Sequence, residues 1–371
     1  MIGYYAHSHG SGHCNYANLF SKVFGKSLTV FTDRNHAFDR GTNVVMLENE
    51  DPDGNEYQRS CFPEPRALHY APVHIAKITR RNKIILDNVL KRNISLLIID
   101  VSVEMAMLAR VSSIPYAYVR LQGDRNDFPH LNAFEGASFL LAYFPKEMES
   151  TDTPSWITNK TVYLGFLSKF MFDRGVNKRP VEFGIGPKPI LLHLNGFGGT
   201  RAFDFGNLAE RYDIYVIGPG RGGSDGRSGI RHIGVVDDTR AFIEHADIII
   251  AACGLNTTSE LLSLGKRFVA APEKRHFEEQ EHIAKNLDRL GWAIHLSKYA
   301  SQNAAVKALS VIQQQDLPRI TVHGLKAFKA KLKSLEYRTD KFVYEHSRNL
   351  AHQALESSYK NKNTKIELSA I

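Results

Sequence analysis

The residues able to do chemistry gather at two glycine-bearing turns and one polar stretch. His7-Ser8-His9-Gly10-Ser11-Gly12-His13 follows a short apolar run at residues 2–6. His13 stands directly after Gly-Ser-Gly, at the entrance of a helical segment, where an imidazole can face a cleft and take a proton from a hydroxyl. The competing reading for each of these histidines is capping or packing, and for His7 and His9 it is preferred. Asp100 ends the apolar run 96–99. A carboxylate there either holds an imidazole in one tautomer or caps the helix that follows.

The polar stretch spans residues 246–280. Its apolar run 248–252 stops at Cys253-Gly254, and Asn256, Thr257, Thr258 and Ser259 open a helical segment that includes Glu260. A second apolar run, 268–271, ends at Pro272, and a charged loop carries His276, Glu279 and Gln280. Phosphates sit at helix N-termini, and ligands sit beyond the carboxyl ends of parallel strands. The stretch therefore predicts a nucleotide diphosphate site.

These groups need a scaffold, and both halves of the chain supply one by alternating strand and helix signals. The first half has strands at 2–6, 28–32, 44–47, 96–99, 116–119, 139–144 and 161–164, with helices at 14–24, 76–90 and 103–111. Residues 48–70 form a long polar loop holding Arg59, Arg66, His69 and Tyr70; such loops are either functional or solvated excursions. Helix 76–90 carries a basic face of Lys77, Arg80, Arg81 and Lys83. The second half restarts at strand 190–194 and a second glycine turn, Asn195-Gly196-Phe197-Gly198-Gly199-Thr200. Further strands are expected at 214–217, 232–236 and 293–296, and helices at 239–245, 283–290 and 303–332. The fold class is α/β, two Rossmann-like doubly wound domains facing across a cleft. The domains are set at 1–168 and 189–335, with a Gly/Pro-bearing linker at 169–188 and a terminal helix with a frayed tail at 336–371.

At 371 residues, 43% hydrophobic and 23% charged, the chain suits two globular domains. A net charge of +8 favours anionic partners. Basic residues are not interleaved with aromatics, so no nucleic acid is expected. Cys14, Cys61 and Cys253 are odd in number and unclustered, which predicts a reducing compartment with neither disulfide framework nor zinc site. No signal peptide is visible, and no apolar run approaches membrane-spanning length. The expected location is the cytoplasm, including the inner face of a membrane.

Taken together, Gly12-His13, the second glycine turn and residues 246–280 resemble the two-domain GT-B glycosyltransferases. The similarity is greatest to the UDP-GlcNAc transferase of peptidoglycan lipid synthesis and the UDP-glycosyltransferase superfamily. Cys253-Gly254-Leu255-Asn256-Thr257 looks like the donor signature of the superfamily, although Ala252 and Leu255 replace its His and Trp. The resemblance implies a nucleotide-sugar donor, most simply UDP-linked, with inversion at the anomeric carbon and neither metal nor cofactor. It implies diphosphate contacts from Asn256, Thr257, Thr258 and the turn Asn195, Gly196, Gly198, Gly199 and Thr200. Glu260 would hold the ribose, and Ile233 and Val235, with Gly218 nearby, would read the base. His276, Glu279 and Gln280 would meet the sugar. His13 would be the base and Asp100 its orienting carboxylate. Arg59, Arg66, His69 and Arg120 are candidates for the acceptor, which is expected to be lipid-linked or a cell-envelope glycan, with peripheral membrane contact. Two other readings stand beside this one: a nucleotide-sugar hydrolase or 2-epimerase on the same scaffold, and a non-catalytic binder of anionic ligands.

Overall fold

The computed structural model describes residues 1–7, 12–50, 63, 65–172, 178–196, 205–219, 229–313, 330 and 333. From the N-terminus, β1 (Ile2–Ala6) leads into α1 (Gly12–Phe24), β2 (Leu28–Thr32) and β3 (Asn43–Met46). Then come α2 (Ala76–Lys91), β4 (Leu96–Asp100), α3 (Val103–Val111), β5 (Tyr116–Arg120), α4 (Phe128–Gly136), β6 (Phe139–Ala142), α5 (Ser155–Lys160) and β7 (Thr161–Tyr163). The strands form one seven-stranded sheet in the order β3-β2-β1-β4-β5-β6-β7, with parallel pairings.

The chain then repeats the scheme. β8 (Ile190–Leu194), α6 (Leu208–Arg211), β9 (Asp213–Ile217), β10 (Ile230–Gly234), α7 (Arg240–His245), β11 (Ile248–Ala251), α8 (Leu255–Ser263), β12 (Val269–Ala270), α9 (Glu279–Arg289), β13 (Ile294–His295) and α10 (Gln302–Ile312) follow in order. Their sheet is six-stranded, β10-β9-β8-β11-β12-β13, again with parallel pairings. Both sheets lie in one compact unit, Met1–Leu325. No helix among the described residues is long and apolar enough to cross a membrane.

The strands that centre each sheet explain this arrangement. β1, β4, β8 and β11 are buried at every position. Runs such as Leu-Leu-Ile-Ile-Asp and Ile-Ile-Ile-Ala can be hidden on both faces only inside a parallel sheet covered by helices. In each sheet the strand order reverses beside its first strand, between β1 and β4 and between β8 and β11. Both reversals open a crevice at the carboxyl edge. The turns after β1 and β8, Asp100, and the start of α8 are the segments that leave those four strands.

Several local readings shift. Strand 232–236 lies two residues earlier, as β10, with an irregular register between His232 and Gly234. α9 begins at Glu279, so Glu279 and Gln280 form the first turn of a helix and do not belong to a loop. Strand 139–144 ends at Ala142. Arg81 is not on a wet basic face: it is 2% exposed, donating to Glu48 O and the Tyr5 hydroxyl and paired with Glu50. The helical readings beyond Gln313 and the terminal helix fall outside the described residues.

The cap of α3 is Ser102, whose hydroxyl accepts from the Met105 N–H at 3.1 Å. Ser102→Ala should lower stability by about 1 kcal/mol, seen as a lower urea midpoint at unchanged slope. Ser102→Thr should retain most of it.

Candidate functional site

His13 lies in the first turn of α1, and its Nδ1 is 2.9 Å from Oδ2 of Asp100. Because Ser102 caps α3, the carboxylate of Asp100 is released from that duty and turned toward the imidazole. Asp100 is 1% exposed and also accepts from the Tyr4 hydroxyl at 2.8 Å. Its other oxygen, Oδ1, has no hydrogen-bond partner among the described residues. The next residue, Val101, has φ 76°. This is a costly conformation for a β-branched side chain, and it fixes the direction in which the chain leaves Asp100. Burial pushes the His13 imidazole down in pKa, but Asp100 and then Glu279 more than offset this, so its pKa is raised.

The second crevice holds the stretch from β11 to α9. Gly254 is the N-cap of α8, in extended conformation without a side-chain cap, so the first N–H groups of α8 point away from the helix unclaimed by a side chain. Asn256 and Thr257 are half-buried on this first turn. Thr258 is not with them: it is fully buried, its hydroxyl has no partner among the described residues, and this removes it from the expected diphosphate contacts. The Cys253 side chain is likewise buried, with its thiol pushed up in pKa by burial, so only its backbone faces the crevice chemistry. Glu260 accepts from Thr239 at 3.2 Å and lies 3.8 Å from Lys169 Nζ, and burial raises its pKa. Gln280 is 5% exposed. Its side-chain carbonyl accepts from the N–H groups of Cys253 (3.2 Å) and Glu273 (2.9 Å), tying the start of α9 to the end of β11.

The turn after β8 is described only at Asn195 and Gly196. Asn195 donates to Pro219 O at 2.9 Å. Gly218, at φ 126°, approaches so closely that a Cβ there would lie 2.3 Å from Asn195 O. Gly196 leaves room for the Glu273 carboxylate, 2.5 Å from where a Cβ would stand. Gly198, Gly199 and Thr200 lie outside the described residues. Ile233 is half-buried in β10, Val235 is exposed just beyond it, and His276 is exposed.

The two crevices meet. A Cβ at Gly12 would lie 2.6 Å from Asn256 Nδ2, so the turn before His13 touches the start of α8. Asp124 N–H donates to Phe277 O at 2.8 Å, and a Cβ at Gly123 would be 2.3 Å from the same oxygen. Phe277 and Glu278 both adopt left-handed φ, 57° and 50°. Arg125 donates to Glu279 at 3.0 Å and lies 4.7 Å from the Phe277 ring centre. Burial raises the pKa of Glu279, opposed first by Arg125 and then by His13.

Arg125 also continues away from the cleft. Its Nη1 is 3.0 Å from His130 Nε2, and His130 Nδ1 contacts Asp127, which contacts His69 Nε2 through its other oxygen. His69, Asp127 and His130 converge as metal ligands would. Arginine can only donate, however, so Nε2 of His130 is the acceptor and its proton lies on Nδ1, toward Asp127. The cluster is thus a hydrogen-bond relay, and Asp127, at the N-cap position of α4, makes no side-chain cap bond there.

The acceptor-side expectations divide. Arg66 is exposed, and Arg59 lies outside the described residues. His69 belongs to the relay. Arg120 is corrected: it is 6% exposed and locked to Glu149 at 2.6 and 2.8 Å, with Thr161 at 3.1 Å, so it braces the sheet and is not free to meet an acceptor. Sequence reasoning passed over Tyr4, Glu273 and His130. Only Tyr4 carried a signal, as a polar-tipped side chain inside a strand whose neighbours are hidden.

Two facing doubly wound sheets with their crevices in contact form the GT-B fold. Solved structures with this fold include the spinosyn rhamnosyltransferase SpnG in complex with spinosyn aglycone, at TM-score 0.58 and 13% identity over 92% of this chain and 96% of that one. SpnG is also known in complex with thymidine diphosphate. MurG of Acinetobacter baumannii matches at TM-score 0.51 and 14% identity, covering 89% and 99%. UGT2 of Phytolacca americana, complexed with UDP-2-fluoro-glucose and pterostilbene, matches at 0.53 and 13%, covering 90% and 93%. No protein-family model matches the sequence, and no curated protein matches it either. At such identities the likeness is one of fold.

His130 is 1% exposed, and burial, reinforced by Arg125, lowers its pKa from 6.5 to about 4. A depressed pKa means that the unfolded chain binds the proton first, so stability present above pH 6.5 is lost as pH falls toward 4. His130→Gln should flatten this loss, by on the order of 2–3 kcal/mol in total, read from urea midpoints at pH 7 and 4.5.

Proposed function

We propose that the protein is a glycosyltransferase that moves a sugar from a nucleoside diphosphate donor to an acceptor hydroxyl, with inversion and without a metal ion. The observation that carries this reading is the meeting of His13–Asp100 from one sheet with Asn256 and Glu279 from the other. The GT-B fold supports it, since SpnG, which shares that fold, is by name a rhamnosyltransferase.

In the mechanism, Asp100 holds Nδ1 of His13, leaving Nε2 to accept the proton of the acceptor hydroxyl as its oxygen attacks the anomeric carbon. The bond from that carbon to the diphosphate oxygen breaks on the opposite face. Its electron pair leaves with the nucleoside diphosphate. The developing charge meets the first N–H groups of α8 with Asn256 and Thr257, a positive helix end already oriented for it. Glu260 accepts from the ribose hydroxyls. Glu279, at the start of α9 and beside His13, accepts from the sugar. The structural duty of Gln280 on Cys253 and Glu273 makes its amide carbonyl a brace for this sugar site. UDP is the donor nucleotide we favour. A lipid-linked or envelope-glycan acceptor at a cytoplasmic membrane face fits the basic chain and the exposed Arg66.

A screen of UDP- and thymidine-diphosphate sugars, with and without lipid extract, tests the reading through nucleoside diphosphate release. Release should require acceptor and persist in EDTA. Equal release without acceptor would instead indicate hydrolysis. His13→Ala should cut turnover by about 10²–10⁴-fold while leaving nucleotide affinity within a few-fold. Unchanged turnover would remove His13 from the mechanism.

A further inference from the structure

β1 and β4 run side by side in parallel register, with Ala6 opposite Asp100 and Tyr4 opposite Ile98. Side chains alternate along a strand, so Tyr4 shares a sheet face with Ala6 and, across the pair, with Asp100. Ala6 is small and fully buried, which leaves the space through which the phenol two residues earlier reaches the carboxylate diagonally. The bond is 2.8 Å long, and Tyr4 is fully buried. Burial pushes its phenol well above the ordinary range, so it stays protonated and remains a donor. Its single proton goes to Asp100. The Tyr143 hydroxyl, 3.2 Å from that of Tyr4, is therefore the donor in the second link of the chain.

We propose that Tyr4 is a positioning residue for the proton-accepting unit, its phenol donating to the same oxygen of Asp100 that faces His13 and so setting how strongly that carboxylate draws on the imidazole. The proposal rests on reading His13 as the base. Tyr4 donates to Oδ2 and His13 Nδ1 lies 2.9 Å from the same oxygen, while Oδ1 has no partner among the described residues. Withdrawing the phenol leaves the imidazole as the main recipient of the carboxylate's charge. Other groups act on the pair. Glu279 raises and Arg125 lowers the His13 pKa, and the His7 ring lies 5.9 Å away. Tyr16, Cys14 and Tyr118 all feel Asp100. None of these donates to the shared oxygen.

The test is an NMR pH titration of the His13 imidazole in the full-length protein, with Tyr4→Phe, Tyr143→Phe and Asp100→Asn. Tyr4→Phe should raise the His13 pKa by about half to one unit, and Tyr143→Phe should raise it less. Asp100→Asn should lower it. The acid limb of kcat/KM should move to higher pH with the imidazole in Tyr4→Phe. A His13 pKa unchanged or lowered in Tyr4→Phe, with Asp100→Asn lowering it, would overturn the proposal. Should Tyr4→Phe not fold, absence of a rise in Tyr143→Phe would do the same. The titration does not depend on turnover. A shifted imidazole in a protein without transferase activity would thus sink the enzymatic reading and leave the hydrogen-bond chain standing.

Discussion

The contact between residues 123–125 and residues 277–279 is the constraint on which the site depends. Each sheet alone holds only half of the candidate site: one crevice carries the His13–Asp100 pair, and the other carries the open start of α8. A backbone hydrogen bond from Asp124 to Phe277 and the ion pair from Arg125 to Glu279 bring the halves into register. The lack of a side chain at Gly123 is what lets the Phe277 carbonyl enter. At Gly12 the same lack admits Asn256. Close approach of backbone to a neighbouring group is what glycine supplies at both positions.

Electrostatics follow from how these groups are hidden. Burial raises the pKa of Glu279, and Arg125 and then His13 oppose the rise. Burial lowers the pKa of His13, and Asp100 beside it more than offsets this. His130, with Arg125 as its neighbour, remains neutral. One guanidinium therefore acts in two directions. It steadies a carboxylate in the cleft and fixes a tautomer in the relay behind it. An exposed ion pair of the same geometry would contribute little.

Much of this was legible from the chain. Buried runs such as 96–100 and 248–251 announced a parallel sheet because no other arrangement hides both faces. The glycine turns and Asn256 marked the crevices. What could not be read was which polar groups would be spent on structure. Arg120 looks like a ligand contact in sequence and Arg81 like part of a basic helix face, yet both are buried and anchored to carboxylates. Thr258 and Ser259 belong to a polar run, but one side of a helix faces the interior, and these two lie on that side. The choice at Asp100 between cap and orienting carboxylate was undetermined until Ser102, two residues on, took the cap. The start of α9 was hidden because Phe277-Glu278 enters it through a left-handed pair that neither residue type signals.

The separation of these contacts along the chain orders their assembly. Tyr4, His13, Asp100 and Tyr143 all come from the first 143 residues. Their hydrogen bonds can be complete while the ribosome is still making the second sheet, since domains emerge and fold from the N-terminus. The Arg125–Glu279 pair spans 154 residues and must wait for α9. A newly made chain therefore holds its His13–Asp100 pair before α8 and α9 exist, and the strained turn at Phe277 is set later.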